Sequence, residues 1–473
     1  MIWKRTLACG LLCLLAGCIT PKVIPANDIR EVRYEGGGSV TGAPVTGLKE
    51  AIRGAVSADP DTGAAVVRPI RVLTVHGMIT DRPGFSDDTQ SAIALRLSLK
   101  PAGPPLEIVL ERGYGVAVFD GVQPNGQSRL NRSVIRRTDW ADSSGVTRLV
   151  FYELLWAPFR DEIKGTYFAC FESETFRKKR DKIPNPEWKC PGHDNAAMNT
   201  DRTSFLNKGI KEGILVNGVS DAMIVAGEMG EVLKDDLNLA FCTIAQDELA
   251  FPNDTALLYQ PDPEGKLRRC GYYLITSQEL SGPDGVTSSK GFTFDGIFED
   301  RKFFVITESL GSYFMFRTVW DRAQAEPDPL GDLTRDLINN AIVFMFANQT
   351  ALIHLSALEP VCLPDEGFPD CPNPGLETVD EKLETFSAGS SQTTYVAFND
   401  RDDLLGYELA PYLLNSGLAG RLINVSVRNP ALGLPPVFRW FADVHTNQAK
   451  HPGIIDAIVG GLYPPRAGDK TND

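Results

Sequence analysis

The most informative segment of this chain is Lys302-Phe-Phe-Val-Ile-Thr-Glu-Ser-Leu-Gly-Ser312. Phe303 to Ile306 form a continuous apolar run behind two cationic residues, a pattern typical of a short buried strand. After Gly311 the large apolar residues recur at helical spacing, at Tyr313, Phe314, Phe316, Val319 and Trp320. The stretch therefore predicts a buried strand that turns directly into a helix, with Ser309 in the turn.

The turn itself carries a pattern that points to chemistry. Thr307-Glu308-Ser309-Leu310-Gly311 reads small-x-Ser-x-Gly, with Thr307 at the first small position. In a nucleophile elbow of this kind the serine sits in a strained backbone at the N-terminus of the helix, and the glycine lets the helix pass close to the strand. The pattern favours Ser309 as a catalytic nucleophile, and the alternative is that Ser309 only caps the helix.

Size and composition limit the class of protein. The chain has 473 residues, of which 43% are hydrophobic and 23% charged, so it is globular and can bury a large core plus an insertion or a second domain. The formal net charge is −14, and no run of five Lys or Arg residues occurs. Nucleic acid is therefore excluded as a partner, because phosphate binding needs a basic surface.

The N-terminus has the order of an export signal. A basic segment, Met1 to Arg5, precedes the apolar run Thr6 to Ala16, and the run leads to Leu15-Ala16-Gly17-Cys18. This order resembles the signal and lipobox of bacterial lipoproteins. The resemblance implies cleavage after residue 17, a lipid on Cys18, and anchoring in the cell envelope, on the outer membrane facing the periplasm. An ordinary signal peptide or an uncleaved anchor is the alternative, although a bilayer span needs about 20 residues.

Cysteine usage fits export to an oxidising compartment. Without the two signal cysteines and Cys18, an even number remains: Cys170, Cys190, Cys242, Cys270, Cys362 and Cys371. The simplest disulfide pattern joins them in sequential pairs, although sequence alone does not fix the connectivity. No Cys-x-x-Cys pair occurs, so no metal site is expected.

A second strand-to-helix unit precedes the serine. Pro69 to Val75 is a continuous apolar strand that runs into His76-Gly77-Met78, and a helix start follows at Ser86. Together with the serine turn, this unit resembles the α/β-hydrolases. The resemblance implies an oxyanion hole made of the backbone N–H groups of Met78 and Leu310, with Gly77 allowing close approach. His76 is expected to be structural.

Strands and helices continue to alternate after Ser309. Apolar strands at 341–346, 393–398 and 422–427 alternate with helical segments, which predicts an α/β fold with a mostly parallel sheet and helices on both faces. The hydrolase order is Ser, then an acid, then His. The resemblance implies Asp403, after the second of these strands, as the acid and His445, after the last, as the base. Asp400 and Asp402 remain alternatives for the acid, and His451, before Pro452, for the base.

The spacing of these motifs predicts the domain organisation. His76 and Ser309 are 309 − 76 = 233 positions apart, far more than two βα units need. We expect a hydrolase core at 69–158 and 293–463, interrupted at 159–292 by a mainly helical cap. The alternative for 159–292 is a separate ligand-binding domain. Residues 1–17 are the expected signal peptide, 18–68 a tether and 464–473 a flexible tail.

The sequence therefore predicts an exported, lipid-anchored serine hydrolase. Its substrate would be a small-molecule or lipid ester, or a related acyl compound, cleaved through an acyl-enzyme on Ser309 without a cofactor. The alternative is a non-catalytic envelope lipoprotein that uses the hydrolase fold as a binding or scaffolding module.

Overall fold

A computed structural model describes residues 29–35, 44–58, 65–78, 83–110, 133–161, 164, 219–227, 229–249, 302–324, 337–350, 353, 393–400, 403, 406–409, 421–427 and 447–463. Several predicted features lie outside these ranges: the signal peptide with Cys18, Asp402, His445, the tail, and the cysteines at positions 170, 190, 270, 362 and 371.

The described strands build one sheet of ten strands and a separate hairpin. The main path across the sheet is β1 (Ile29–Glu35), β12 (Arg421–Val427), β11 (Thr394–Asp400), β10 (Ala341–Phe346), β9 (Phe303–Glu308), β4 (Ile70–Val75), β8 (Thr147–Leu155), β7 (Val134–Ala141) and β5 (Lys100–Pro101). Strand β6 (Leu106–Val109) also pairs with β7, and the hairpin consists of β2 (Val56–Ala58) and β3 (Ala65–Val67).

The centre of the sheet is parallel. Strands β8, β4, β9, β10, β11 and β12 are joined by parallel pairing, whereas β1 and β7 pair antiparallel with their neighbours. All residues of β4 and β10 are buried, because helices cover both faces of the sheet. Strands covered on both faces form continuous apolar runs in the sequence, so β4 and β10 could be predicted as strands. The predicted α/β class with a mostly parallel sheet is confirmed.

Two layers of helices cover the sheet. On one face, α3 (Ser220–Ala226), α4 (Met229–Leu249) and α5 (Leu310–Gln324) share an apolar cluster with Val75, Phe303 and Val305. On the other face, α1 (Leu48–Gly54), α2 (Asp87–Leu97) and α6 (Pro452–Gly460) pack with Val72 and Phe304. Neighbouring residues of one strand enter different clusters because side chains alternate across a sheet. No helix among the described residues is long and apolar enough to cross a membrane.

The described part of the expected cap is a layer of the core. Helix α4 lies within 159–292, and its Phe241 and Ile244 are buried in the same cluster as Phe303. The rings of Phe241 and Phe303 are 6.2 Å apart. Helix α4 of the segment expected to form a cap thus covers one face of the sheet. An apolar stripe at helical spacing identifies a helix, but it does not tell whether that stripe covers a sheet face or a cleft.

Part of the expected tether also belongs to the folded core. Strand β1 pairs with β12 from Ile29 to Glu35, with one irregularity in register. Val45 forms a bridge with Leu462, and helix α1 buries Leu48. These residues of the segment expected to be a tether are thus part of the sheet and of the helix layer beside it. The glycines and acidic residues around them suggested a linker, whereas strand pairing with a distant part of the chain is invisible to local composition.

Candidate functional site

Ser309 lies in a tight turn at the carboxyl edge of the sheet, between β9 and α5. Its backbone φ is +54°, in the left-handed region that residues other than glycine seldom adopt. The Ser309 N–H donates to the Phe346 carbonyl at 2.7 Å, and the Ser312 N–H donates to the Ser309 carbonyl at 3.0 Å. Ser309 thus has the strained turn conformation that the sequence pattern predicted, and hydrogen bonds on both sides maintain it.

Thr307 fits in the place of the expected small residue by using its hydroxyl. Its Oγ1 lies 2.9 Å from Ser312 Oγ, and both side chains are fully buried. Gly311 is required for a different reason. A Cβ there would lie 2.6 Å from the Val75 carbonyl and 2.7 Å from that of His76, so only glycine allows α5 to approach the end of β4 this closely.

The loop after β4 touches the serine directly. A Cβ at Gly77 would lie 2.5 Å from Ser309 Cβ and 2.7 Å from the Glu308 carbonyl, so a side chain at Gly77 would collide with the serine turn. Met78 follows as a half-buried residue packed against the core. Leu310 is the first residue of α5, where backbone N–H groups have no acceptor within the helix. Both segments named for the oxyanion hole therefore flank Ser309.

His76 is buried beneath this loop. Its Nε2 accepts the Trp156 backbone N–H at 3.1 Å, so Nδ1 carries the proton and donates to the Gly77 carbonyl at 2.7 Å. The His76 and Trp156 rings are stacked with centroids 4.8 Å apart. Burial, together with the charge of Arg160, lowers the pKa of His76 to about 3. The imidazole is therefore neutral and acts as a support for the loop, the structural role that was expected for it.

Asp403 follows β11 and is buried against the C-terminal segment of the chain. Its N–H donates to the Asp400 carbonyl at 3.0 Å, and its Oδ2 accepts Gln448 Nε2 at 2.9 Å. Gln448 belongs to a short 3-10 helix, Asn447–Lys450, and its Oε1 accepts the Ala347 N–H at 2.9 Å. The structure thus brings Asp403 and the residues that follow His445 in the sequence to the same sheet edge as Ser309. Asp400, the last residue of β11, is buried there as well.

Two histidines follow the last strand in the sequence, and His451 is the one that lies within the described residues. His451 occupies the N-cap position of α6, with Pro452 as the first helical residue. It is buried, its N–H donates to the Gln448 carbonyl at 3.0 Å, and its carbonyl accepts the Ile455 N–H at 3.1 Å. His445, the predicted base, lies outside the described residues.

Two residues at this edge, Gln448 and Glu153, were not among the site residues predicted from the sequence. Glu153 is fully buried in β8 and accepts the N–H groups of Gly84 at 2.7 Å and Ser86 at 3.1 Å, and the Ser86 hydroxyl at 2.6 Å. It therefore fixes the far end of the loop that carries Gly77. A carboxylate inside the apolar run of β8 was a visible signal, because buried charges need dedicated partners. Gln448 gave no local signal.

Two further findings concern the cysteines and metals. Cys242, buried in α4, is disulfide-bonded, and its partner lies outside the described ranges. Within the described ranges, no group of three or more His, Cys, Asp and Glu side chains could hold a metal ion.

Comparisons with known proteins give no family for this chain. No protein-family model matches it, and neither a curated protein nor a solved structure shows significant similarity.

Proposed function

We propose that this protein is an exported serine hydrolase of the α/β-hydrolase fold, anchored through a lipid on Cys18, that cleaves an ester or related acyl substrate. One observation carries the proposal. Ser309 sits in a left-handed strand-to-helix turn, against Gly77 and at the sheet edge where Asp403 is buried. A strained, non-glycine residue of nucleophilic type in this position is the arrangement that the nucleophile elbow requires.

The order of the parallel strands supports the same fold. Ser309 follows β9, the loop with Gly77 follows the adjacent β4, and Asp403 follows β11, two strands from β9 on the other side. In α/β-hydrolases the oxyanion donors come from the residue after the nucleophile and from a neighbouring strand-to-helix loop. Leu310 and Met78 hold the matching positions.

The proposed reaction assigns one role to each group. Ser309 Oγ attacks the acyl carbon while His445 takes its proton, and the backbone N–H groups of Leu310 and Met78 stabilise the oxyanion. His445 then protonates the leaving alkoxide, which departs and leaves the acyl-enzyme. Water, deprotonated by His445, attacks the acyl carbon; the bond to Ser309 Oγ then breaks, His445 returns the proton to that oxygen, and the acid is released. Asp403 orients the imidazole.

Chain connectivity is compatible with His445 as the base. His445 stands three positions before Gln448, which is bonded to Asp403. The chain extends by at most about 3.6 Å per residue, so the Cα atoms of His445 and Gln448 are no more than about 11 Å apart. This limit allows the His445 side chain to reach the sheet edge that carries Asp403.

A fluorophosphonate probe tests the proposal, because it reacts covalently with activated serines. We expect the wild type to be labelled, Ser309→Ala to lose labelling, and Ser312→Ala, a buried serine in the same turn, to retain it. Labelling that persists in Ser309→Ala would identify another nucleophile. A folded wild type that stays unlabelled would favour the non-catalytic lipoprotein. His445→Ala and His451→Ala then separate the two histidines, and only the first should abolish labelling.

A further inference from the structure

Gln448 links three parts of the proposed site, and we propose that it is a positioning residue for the catalytic carboxylate. In this role its amide holds Asp403 in the orientation that receives the imidazole, and it fixes the C-terminal segment next to the end of β10. The inference rests on the proposed serine hydrolase function.

The contacts of Gln448 use both ends of its amide. The side chain is fully buried, Nε2 donates to Asp403 Oδ2 at 2.9 Å, and Oε1 accepts the Ala347 N–H at 2.9 Å. The reversed amide would place NH2 against an N–H group and the carbonyl against a carboxylate. The orientation of Gln448 is therefore fixed by the chemistry of its neighbours.

The end of β10 connects this amide to the serine turn. Phe346 accepts the Ser309 N–H at 2.7 Å, and the next residue, Ala347, donates to Gln448. Ala347 has a φ of +48°, so the chain turns sharply between these two contacts. Adjacent residues of one strand end thus hold the backbone of the nucleophile on one side and Gln448 on the other.

A buried triad carboxylate needs more than the imidazole as a partner. Its charge is stabilised when further donors satisfy its oxygens, and its orientation fixes that of the imidazole. Gln448 provides such a donor to Oδ2. Loss of this donor would leave Asp403 less firmly oriented and would lower the rate of proton transfer, while substrate contacts would be unaffected.

A role in which Gln448 only attaches the C-terminal segment makes a different prediction. Gln448→Met has a similar length but removes both hydrogen bonds, whereas Gln448→Glu keeps an acceptor for the Ala347 N–H and presents a carboxylate to Asp403. Thr393→Val is the control, because Thr393 is also buried and donates to the Ile338 carbonyl at 2.6 Å, at the opposite end of β11.

The experiment measures kcat and KM of these variants on a water-soluble ester at pH 8, after circular dichroism has confirmed folding. We expect both Gln448 variants to lose about tenfold to a hundredfold in kcat, the range produced by misplacement of about 1 Å, with KM within about twofold. Thr393→Val should retain both parameters.

Two results would overturn the inference. Full kcat in folded Gln448→Met would show that the contact with Asp403 has no catalytic role, and an equal loss in Thr393→Val would show a general effect of instability. The wild type separates the two proposals. If it reacts with a fluorophosphonate while Gln448→Met reacts at the same rate, only the role of Gln448 fails; if it does not react, both fail.

Discussion

His76 is held in a way that only a neutral imidazole satisfies. Its Nε2 accepts the Trp156 N–H, so a proton added there would face another donor. Its Nδ1 donates to the carbonyl of Gly77, the residue that touches Ser309. The carbonyl of Gly77 and the N–H of Met78 belong to one planar peptide unit. His76 therefore restrains the orientation of the peptide that we assign to the oxyanion hole.

The depressed pKa of His76 predicts that the protein loses stability in mild acid. The pKa falls from 6.5 in the unfolded chain to about 3 in the native state, so only the unfolded chain binds this proton between those values. The free energy of unfolding then decreases as pH falls below 6.5, by about 1.36 kcal/mol per unit, or about 2 kcal/mol over the 1.5 units to pH 5. Urea unfolding at pH 7 and pH 5 measures this change in the free energy of unfolding.

His76→Asn isolates this contribution, because an amide nitrogen can still donate to the Gly77 carbonyl but does not titrate. The variant should lose about 2 kcal/mol less than the wild type between the two pH values. The same pH dependence in both proteins would mean that His76 is protonated in the folded state.

At the residue scale, the sequence predicted what is encoded locally. Ser309, Gly311 and Gly77 were found because a tight turn and a close backbone approach impose residue types at fixed short spacing. The bond between Gln448 and Asp403 joins residues 45 positions apart, and the sheet alone brings them together. No periodicity or composition in the neighbourhood of Gln448 distinguishes it from a surface glutamine.

Helix α4 is buried but carries two acidic residues in its last turn, because both have partners on the sheet. Asp247 accepts Arg137 Nη1 at 2.7 Å and also the Tyr152 hydroxyl. Glu248 pairs with Arg71, the second residue of β4. All three of these partners are at least half-buried in the layer between α4 and the sheet. The helix is thus fixed to the sheet by an apolar surface and, at its end, by buried ion pairs.

Removal of one charge from this group should be costly. Asp247→Asn removes the carboxylate that Arg137 contacts on α4, while Arg137 keeps its pair with Asp139. We expect a loss of about 1.5–3 kcal/mol of stability, the range for a buried hydrogen bond to a charged group. Asp456→Asn, in the exposed pair with Arg96, is the control and should change it by less than about 1 kcal/mol. Urea unfolding of both variants is the measurement. Equal, small effects would mean that the Asp247 pair is accessible to water.

For individual elements, the sequence predicted whether a segment is a helix or a strand better than it predicted where that segment packs. The apolar strands β4, β9, β10, β11 and β12 were all expected, as was the helix that follows Ser309. In the sequence, the acidic end of α4 looks like a solvent-exposed helix end. Its arginine partners lie on β4 and β7, far away in the sequence, so the local pattern does not show the ion pairs. Strand β1 was missed since its edge position demands no apolar run. Both contacts join segments that are distant in the sequence.

For the whole molecule, the direction of β1 determines where the N-terminal segment leaves the sheet. The parallel strands end at one edge, which carries Ser309 and Asp403. Strand β1 runs antiparallel to β12, and its first residue, Ile29, pairs with Val427, the last residue of β12. The chain therefore enters the sheet at the same edge as the proposed active site. Cys18 precedes Ile29 by 29 − 18 = 11 residues, a reach of at most about 40 Å.

A lipid on Cys18 would thus keep the serine edge close to the membrane, and we expect the anchored protein to cleave acyl lipids of that membrane. The net charge of −14 opposes adsorption to an anionic bilayer, so proximity should depend on the anchor. A Gly-Ser insert of about 40 residues between Ala26 and Asn27 lengthens the connection from Cys18 to Ile29 from 11 to about 51 residues, or about 4.6-fold. The effective concentration then falls roughly with the −3/2 power of length, or about tenfold.

The measurement compares this insertion with the unmodified lipoprotein, both reconstituted in phosphatidylglycerol-containing vesicles. Hydrolysis of vesicle lipid should fall by about tenfold in the insertion variant, whereas hydrolysis of a water-soluble ester should stay the same, because the site itself is untouched. Cys18→Ser should lose lipid hydrolysis to a greater extent and keep the soluble activity. Equal lipid hydrolysis with the short and the long connection would show that the position of β1 does not direct the active site to the bilayer, and that the substrate reaches the serine from solution.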